Sequence, residues 1–314
     1  MSDLCLVTGG AGFIGSHLVE SLTAAGNTVR VLDDLSTGHA SNLAHISPPP
    51  QLHCGSLTDP AVVDAVVKGV RYVFHLGAMA SVAKSLETPI ACHDVCGTGT
   101  LNVLEAARAH GVQRVVYAAS ASAYGGSSNP NGQDEDTPLA ALSPYAAAKL
   151  TGEMYMQAFA HTYGLETVRL RFFNIFGPRQ RADSPYSGVI AIFTGMLSTG
   201  TTPTINGDGQ QTRDFVYAAD AVQAMMRAAT AKDVSGQVYN VGTGRSVTLL
   251  QLLEALNTIL GTKITPNHGP ERAGDIRYSC ARIDRIRRDL GYEPSVTLED
   301  GLRRTVEWYR TLET

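Results

Sequence analysis

Tyr145 and Lys149 lie four residues apart in the segment SPYAAAKL. On a helix that spacing puts both side chains on one face. An ordinary tyrosine, titrating near ~10, is a poor base at neutral pH, but an ammonium beside it favours the phenolate. Ser122 stands upstream in AASASAYG, at the end of an apolar run, and its hydroxyl is suited to holding a reacting alcohol and passing its proton. Tyrosine and lysine at this spacing are also common as a surface pair, and only a cofactor site upstream makes them informative.

That site is a glycine turn. Gly9, Gly12 and Gly15 follow the apolar run LCLVT in TGGAGFIGS and lead into an amphipathic stretch reaching about Ala25. Side chains at the first glycines would obstruct the turn and the approach of a pyrophosphate to the helix N-terminus, where free N–H groups favour an anion; the last glycine lets helix and strand pack closely. The next run, VRVLD, ends at Asp33, 18 residues beyond Gly15. A carboxylate there accepts from the adenosine ribose hydroxyls and repels a 2′-phosphate, which predicts NAD over NADP. Alone, Asp33 with Asp34 would read as a loop cap.

The elements that must position these residues are legible as a rhythm. LCLVT, VRVLD, VFHLG and VVYAAS alternate with helix-length amphipathic segments, the βαβ pattern of a parallel sheet covered on both faces. The expected fold is α/β, a doubly wound parallel sheet of Rossmann type. After LETVRLRFFN the alternation breaks, and Gly, Pro and Thr become frequent through GPRQ, TGTTP and NGDGQQ. The expected division is therefore an NAD-binding part over 1–174 and a smaller, mainly substrate-binding part over 175–314, with about 214–245 returning to the first, the two facing each other across a cleft.

Composition excludes several classes. With 314 residues, 44% of them hydrophobic, the chain buries a substantial core, and a net charge of −4 with dispersed basic residues gives no nucleic-acid footprint. No stretch approaches the roughly 20 apolar residues of a spanning helix, and MSDLCLVTGG enters a strand without a leader pattern, so a cytoplasmic protein without a membrane partner is expected. Five scattered cysteines, Cys5, Cys54, Cys92, Cys96 and Cys280, fit reduced thiols; Cys92 and Cys96 share a helix face but lack a matching pair for a metal, so no metal site is expected.

With TGGAGFIG, ASASAYG, YAAAK and RFFNIFGPRQ in this order, the chain resembles the extended short-chain dehydrogenase/reductases, especially the UDP-sugar 4-epimerases, over nearly its whole length. The resemblance implies that Ser122, Tyr145 and Lys149 are catalytic. It implies cofactor contacts at Gly9, Gly12, Phe13, Ile14, Gly15, Asp33, Ser36, Thr37, Gly38, Leu57, Leu76, Gly77, Ala78, Tyr145, Lys149 and Phe172. For the substrate it implies Ser122, Tyr145, Asn174, Val189, Arg213, Arg272, Asp275 and Ser279, the two arginines suited to a diphosphate and Asp275 to a sugar or ribose hydroxyl. Ser279 falls where similar epimerases have a size-selecting residue beside the hexose C2 substituent, and a serine leaves room for an N-acetyl group. Ser56, Cys96 and Gly77-Ala78 depart from the commonest family pattern.

The expected activity is NAD-dependent C4 epimerisation of a UDP-hexose, by a homodimer. Rivals are a nucleotide-sugar dehydratase or decarboxylase, a 4-ketoreductase, and, in another class, a non-catalytic NAD-binding sensor. Lyase relatives carry T-D-E or T-S-E where this chain has SAS, without a carboxylate, and retention of serine, tyrosine and lysine together speaks against the sensor.

Overall fold

The computed structural model describes residues 2–126, 132–181, 188–271 and 276–312. The predicted runs become β1 (Leu4–Thr8), α1 (Phe13–Ala24), β2 (Thr28–Asp33), β3 (Gln51–Cys54), α2 (Pro60–Val67) and β4 (Tyr72–His75). Two short helices, α3 (Val82–Glu87) and α4 (Pro89–His93), continue through a wide helical turn over Asp94–Thr98 into α5 (Gly99–Ala109), followed by β5 (Arg114–Ser120), α6 (Pro144–Tyr163) and β6 (Glu166–Phe172). Next come β7 (Asn174–Phe176), α7 (Val189–Ser198), β8 (Thr204–Asn206), β9 (Thr212–Arg213), β10 (Phe215–Tyr217), α8 (Ala218–Thr230) and β11 (Gln237–Val241). The chain closes with β12 (Val247–Thr248), α9 (Leu249–Leu260), β13 (Asn267–Gly269), α10 (Asp284–Leu290) and α11 (Leu298–Arg310).

Seven strands form one sheet in the order β11-β6-β5-β4-β1-β2-β3, and every neighbouring pair is parallel. Because a parallel sheet is covered on both faces, its central strands β1, β4, β5 and β6 are buried along nearly their whole length. Val7, Val31, Phe74 and Val116 pack on one side with α1 and α8, while Leu6, Leu32, Val73 and Val115 pack on the other with α2, α5 and α6. The order reverses between β1 and β4, which opens a crevice beyond the strand C-termini, the place where ligands enter such sheets.

A third apolar cluster, with Phe176, Phe193, Phe215, Leu252 and Leu302 among its members, holds α7, α9 and α11 together beside the sheet. Two buried carboxylates fasten it there. Asp214 accepts from the N–H groups of Thr243 (2.8 Å), Gly244 (3.0 Å) and Ala281 (3.1 Å), and Asp220 of α8 accepts from the N–H groups of Ser295 (2.9 Å) and Val296 (3.2 Å). Among the described residues no helix is long and apolar enough to cross a membrane.

Candidate active site

The glycine turn between β1 and α1 has no room for side chains. Gly9 has φ +68°, a left-handed conformation, and a Cβ there would sit 2.8 Å from the Gly77 nitrogen; a Cβ at Gly15 would land on the Gly9 carbonyl oxygen. Backbones of the first and fourth strand ends thus meet in a cradle that any larger residue would fill, and a dinucleotide pyrophosphate fits it. Phe13 and Ile14 open α1 directly behind the turn.

Asp33 ends β2 and is 8% exposed, with Oδ2 accepting from the Ala11 N–H and Oδ1 from the Leu35 N–H, both at 2.9 Å. Burial pushes the carboxyl up, and the Leu35 and Ala11 N–H groups hold it back. The Gly12 N–H acts on it as well, and the carboxylate still has acceptor capacity for a ribose hydroxyl, so capping the loop does not exclude a ribose contact. Gly38 passes so close that a Cβ would be 2.9 Å from Asp33 Oδ1. Ser36 is folded back on Asp34, its hydroxyl donating at 2.6 Å, and Thr37 joins it to Gly38.

On the other wall, Leu57 lies against Gly77, Leu76 donates its N–H to the Thr8 carbonyl (3.2 Å), and Ala78 packs on Cys92 and Cys96. Beneath Gly77 runs a buried chain of hydrogen bonds whose direction is fixed by its ends. Thr100 donates to the Cys96 carbonyl (2.6 Å), so His75 Nε2 must donate to Thr100 (3.0 Å). Neutral His75 then accepts through Nδ1 from Thr8 (2.7 Å), whose oxygen takes the Gly77 N–H (3.1 Å). Burial, assisted by the Lys149 charge, pushes His75 down to about 3 and keeps it neutral.

Tyr145 and Lys149 lie in the first turns of α6, which starts where the sequence rules say it should: Ser143 caps it by accepting from the Ala146 N–H (3.1 Å), and Pro144 follows. A second hydroxyl, Ser85 of α3, accepts the Tyr145 N–H at 3.1 Å. Tyr145 packs against Cys92, Cys96 and Ala148. Burial and Cys96 raise its phenol above the usual tyrosine range, while a hydrogen bond with Ser120 draws it down. Lys149 is lowered by burial, against which Cys96, Glu153 and Cys92 act. Its ammonium lies 4.3 Å from the centroid of the Tyr117 ring, over the ring's face.

The serine that meets Tyr145 is Ser120, not Ser122. Ser120 is the last residue of β5, in register with Phe172 at the end of β6, and the strand C-termini line the crevice. Ser122 sits behind it in the following turn and donates both its hydroxyl (2.9 Å) and its N–H (3.2 Å) to Ser120 Oγ. Those two bonds occupy both lone pairs of Ser120, leaving its own hydrogen for the Tyr145 oxygen. The segment AASASAYG offers both Ser120 and Ser122, and spacing alone does not show which of them ends the strand.

On the substrate side, Asn174 donates its side-chain amide to the Asp214 carbonyl (3.1 Å), and Arg213 reaches the carbonyls of Thr212 (2.9 Å) and Ile276 (2.7 Å). Val189 begins α7, and Ser279 is 8% exposed next to Cys280. Arg272 and Asp275 lie outside the described residues.

Comparison with known proteins agrees with this geometry. Residues 5–242 match the model of the NAD dependent epimerase/dehydratase family. The UDP-glucose 4-epimerase of Mycolicibacterium smegmatis is 38% identical over 97% of this chain and 98% of its own length. A UDP-glucose 4-epimerase from Thermotoga maritima, solved with UDP-glucose, superposes with a TM-score of 0.94 at 38% identity, covering 99% of this chain and 100% of that one. A UDP-N-acetylglucosamine 4-epimerase from Methanobrevibacter ruminantium, in complex with UDP-N-acetylmuramic acid, gives 0.94 at 36%, with 99% and 100% covered. Decarboxylase and dehydratase relatives match as well, and NAD is bound in solved relatives. Parallel sheet, glycine cradle and family match converge on one statement: the chain belongs to the NAD dependent epimerase/dehydratase family of extended short-chain dehydrogenase/reductases, with NAD as its cofactor.

Proposed function

We propose that the protein interconverts the C4 epimers of UDP-hexoses, UDP-glucose with UDP-galactose and UDP-N-acetylglucosamine with UDP-N-acetylgalactosamine. The observation that carries this is Tyr145 in the first turn of α6, one helical turn from Lys149 and packed with Ala78 behind the glycine cradle. The C4 hydrogen of a hexose is not acidic, so direct deprotonation is unattractive, whereas transient oxidation to a 4-keto sugar opens the centre to inversion. NAD, held by Gly9, Gly12, Gly15, Asp33 and Gly77, supplies the reversible hydride acceptor. Tyr145, as phenolate, takes the C4 hydroxyl proton and returns it once the keto sugar has turned over in the pocket. Ser120, with Ser122 bonded behind it, turns its hydrogen toward the Tyr145 oxygen and so favours the phenolate, to which Lys149 adds its positive charge.

Asn174, Val189 and Arg213, together with Arg272 and Asp275, are assigned to the nucleoside diphosphate and sugar. Ser279, small and buried, leaves space at C2 for an N-acetyl group, in keeping with the N-acetylglucosamine epimerase among the relatives. The turn Ala121–Tyr124 brings no carboxylate beside Ser120, which favours epimerisation over the elimination and decarboxylation of other relatives.

We further place the protein in the cytoplasm as a homodimer. Residues 100–111 and the helix beginning near Ser143 carry apolar residues enough for core and interface; in α5 Val103, Leu104 and Ala107 are buried within the chain. The helix that begins at Ser143, α6, leaves Met154 and Tyr155 exposed, and Leu86 of α3 and Ile90 of α4 are exposed as well.

The test is proton NMR of the anomeric signals after incubation with UDP-glucose and with UDP-N-acetylglucosamine, without added NAD. Appearance of the C4 epimer of each is expected. Loss of water or carbon dioxide from the sugar, or a requirement for added reduced cofactor, would replace the epimerase by a lyase or a ketoreductase.

A further inference from the structure

Lys149 is 3% exposed, and a buried ammonium tends to shed its proton unless something replaces water. The face of the Tyr117 ring lies beneath it, 4.3 Å from ammonium to centroid. Tyr117 belongs to β5, is fully buried, and donates its hydroxyl hydrogen to the Lys149 backbone carbonyl at 3.2 Å. One aromatic side chain thus holds the same lysine at the charge and at the main chain. The helix is shaped to admit it: a Cβ at Gly152 would land on the Tyr117 hydroxyl.

The titratable groups that act on the ammonium are Glu153 on its own helix, Cys92 and Cys96 on the facing segment and His75 on β4, while Arg171 on β6 pairs with Glu153 and Tyr145 lies one turn before Lys149 on α6. Glu153 is committed to Arg171, accepting from Nε at 3.0 Å and from Nη2 at 2.8 Å. Burial pushes the Cys92 thiol up to about 11, and His75 is neutral. Besides these groups, the electron-rich face of Tyr117 lies directly against the charge.

We propose that Tyr117 is a positioning residue whose ring seats the Lys149 ammonium, so that the charge acts on Tyr145 from one fixed place. The proposal rests on the Tyr145–Lys149 reading above and adds the group that keeps the lysine charged where water does not reach.

The test places phenylalanine at position 117, then phenylalanines with one, two and three ring fluorines, which keep the shape of the ring while draining negative charge from its face. The NAD-loaded protein is titrated by near-ultraviolet phenolate absorbance, with Tyr145→Phe as the blank, so no substrate has to be known. A weaker seat means less charge beside Tyr145, and its phenolate transition should climb with each fluorine, by about one pH unit over the series. In a Lys149→Met background the series should be flat. A series that is flat or descends with Lys149 present overturns the proposal, as does a slope that survives Lys149→Met. A parent protein without a phenolate transition below pH ~10 overturns the catalytic reading as well, which separates the two failures.

Discussion

Two serines two residues apart have different work because only one of them ends a strand. Ser120 is the serine that draws the Tyr145 phenol down, and among the described residues Ser122 donates its hydroxyl to Ser120. Ser120→Ala should lower kcat about 100-fold with little change in melting temperature, whereas Ser122→Ala should lower it less than about tenfold, in the steady-state epimerisation assay. Equal losses would return the role to Ser122. At Gly15 the effect is on binding: Gly15→Ala drives a methyl onto the Gly9 carbonyl, and the purified variant should release no measurable NAD on denaturation while the parent does. Tyr145, Lys149 and the glycines were legible because each chemistry demands a spacing or a missing side chain. The assignments to Arg213 and Ser279 had only resemblance behind them, since an arginine or serine in a loop carries no spacing rule.

Elements were legible in proportion to how deeply they are buried. LCLVT, VRVLD and VVYAAS announce themselves as apolar runs, but β3, with QLHC exposed along its length at the sheet edge, has no such pattern and was missed. The wide turn over Asp94–Thr98 also lacks a sequence signal, because it is the packing of Cys92 and Cys96 against Tyr145 that gives it a place. The end of β4 yields a pH dependence. His75 titrates at about 3 in the folded chain against an ordinary 6.5, so below pH 6.5 the unfolded chain binds a proton that the native one refuses. Stability is then full above pH 6.5 and falls as the pH drops from there toward 3, at up to about 1.4 kcal/mol per pH unit. His17, also lowered by burial, adds to the same slope. Denaturant midpoints compared between parent and His75→Asn from pH 7 to 5 should show the shallower slope in the variant; identical slopes would mean that the ring is charged in the fold.

On the scale of the molecule, the surface over α3, α4 and α6 leaves Ile90 77% and Leu86 61% exposed, apolar area that a second copy would cover. Light scattering should give a dimer, and Ile90→Glu should give a monomer that still holds NAD. A parent that is already monomeric would remove the dimer. The rhythm of runs and helices told the fold class, but not how the region behind Asn174 is fastened to the sheet, since single aspartates such as Asp214 and Asp220 look like any loop acid until their partners are seen. Asp214 is fully buried and accepts N–H bonds from Thr243, Gly244 and Ala281. Peeling away the third apolar cluster by itself would strip partners from this carboxylate and from Asp220, stranding charge where water is scarce. The chain should therefore melt as one cooperative unit despite its separate apolar clusters: a calorimetric scan should show a single endotherm whose van't Hoff enthalpy matches the integrated heat, and Asp214→Ala should split it in two.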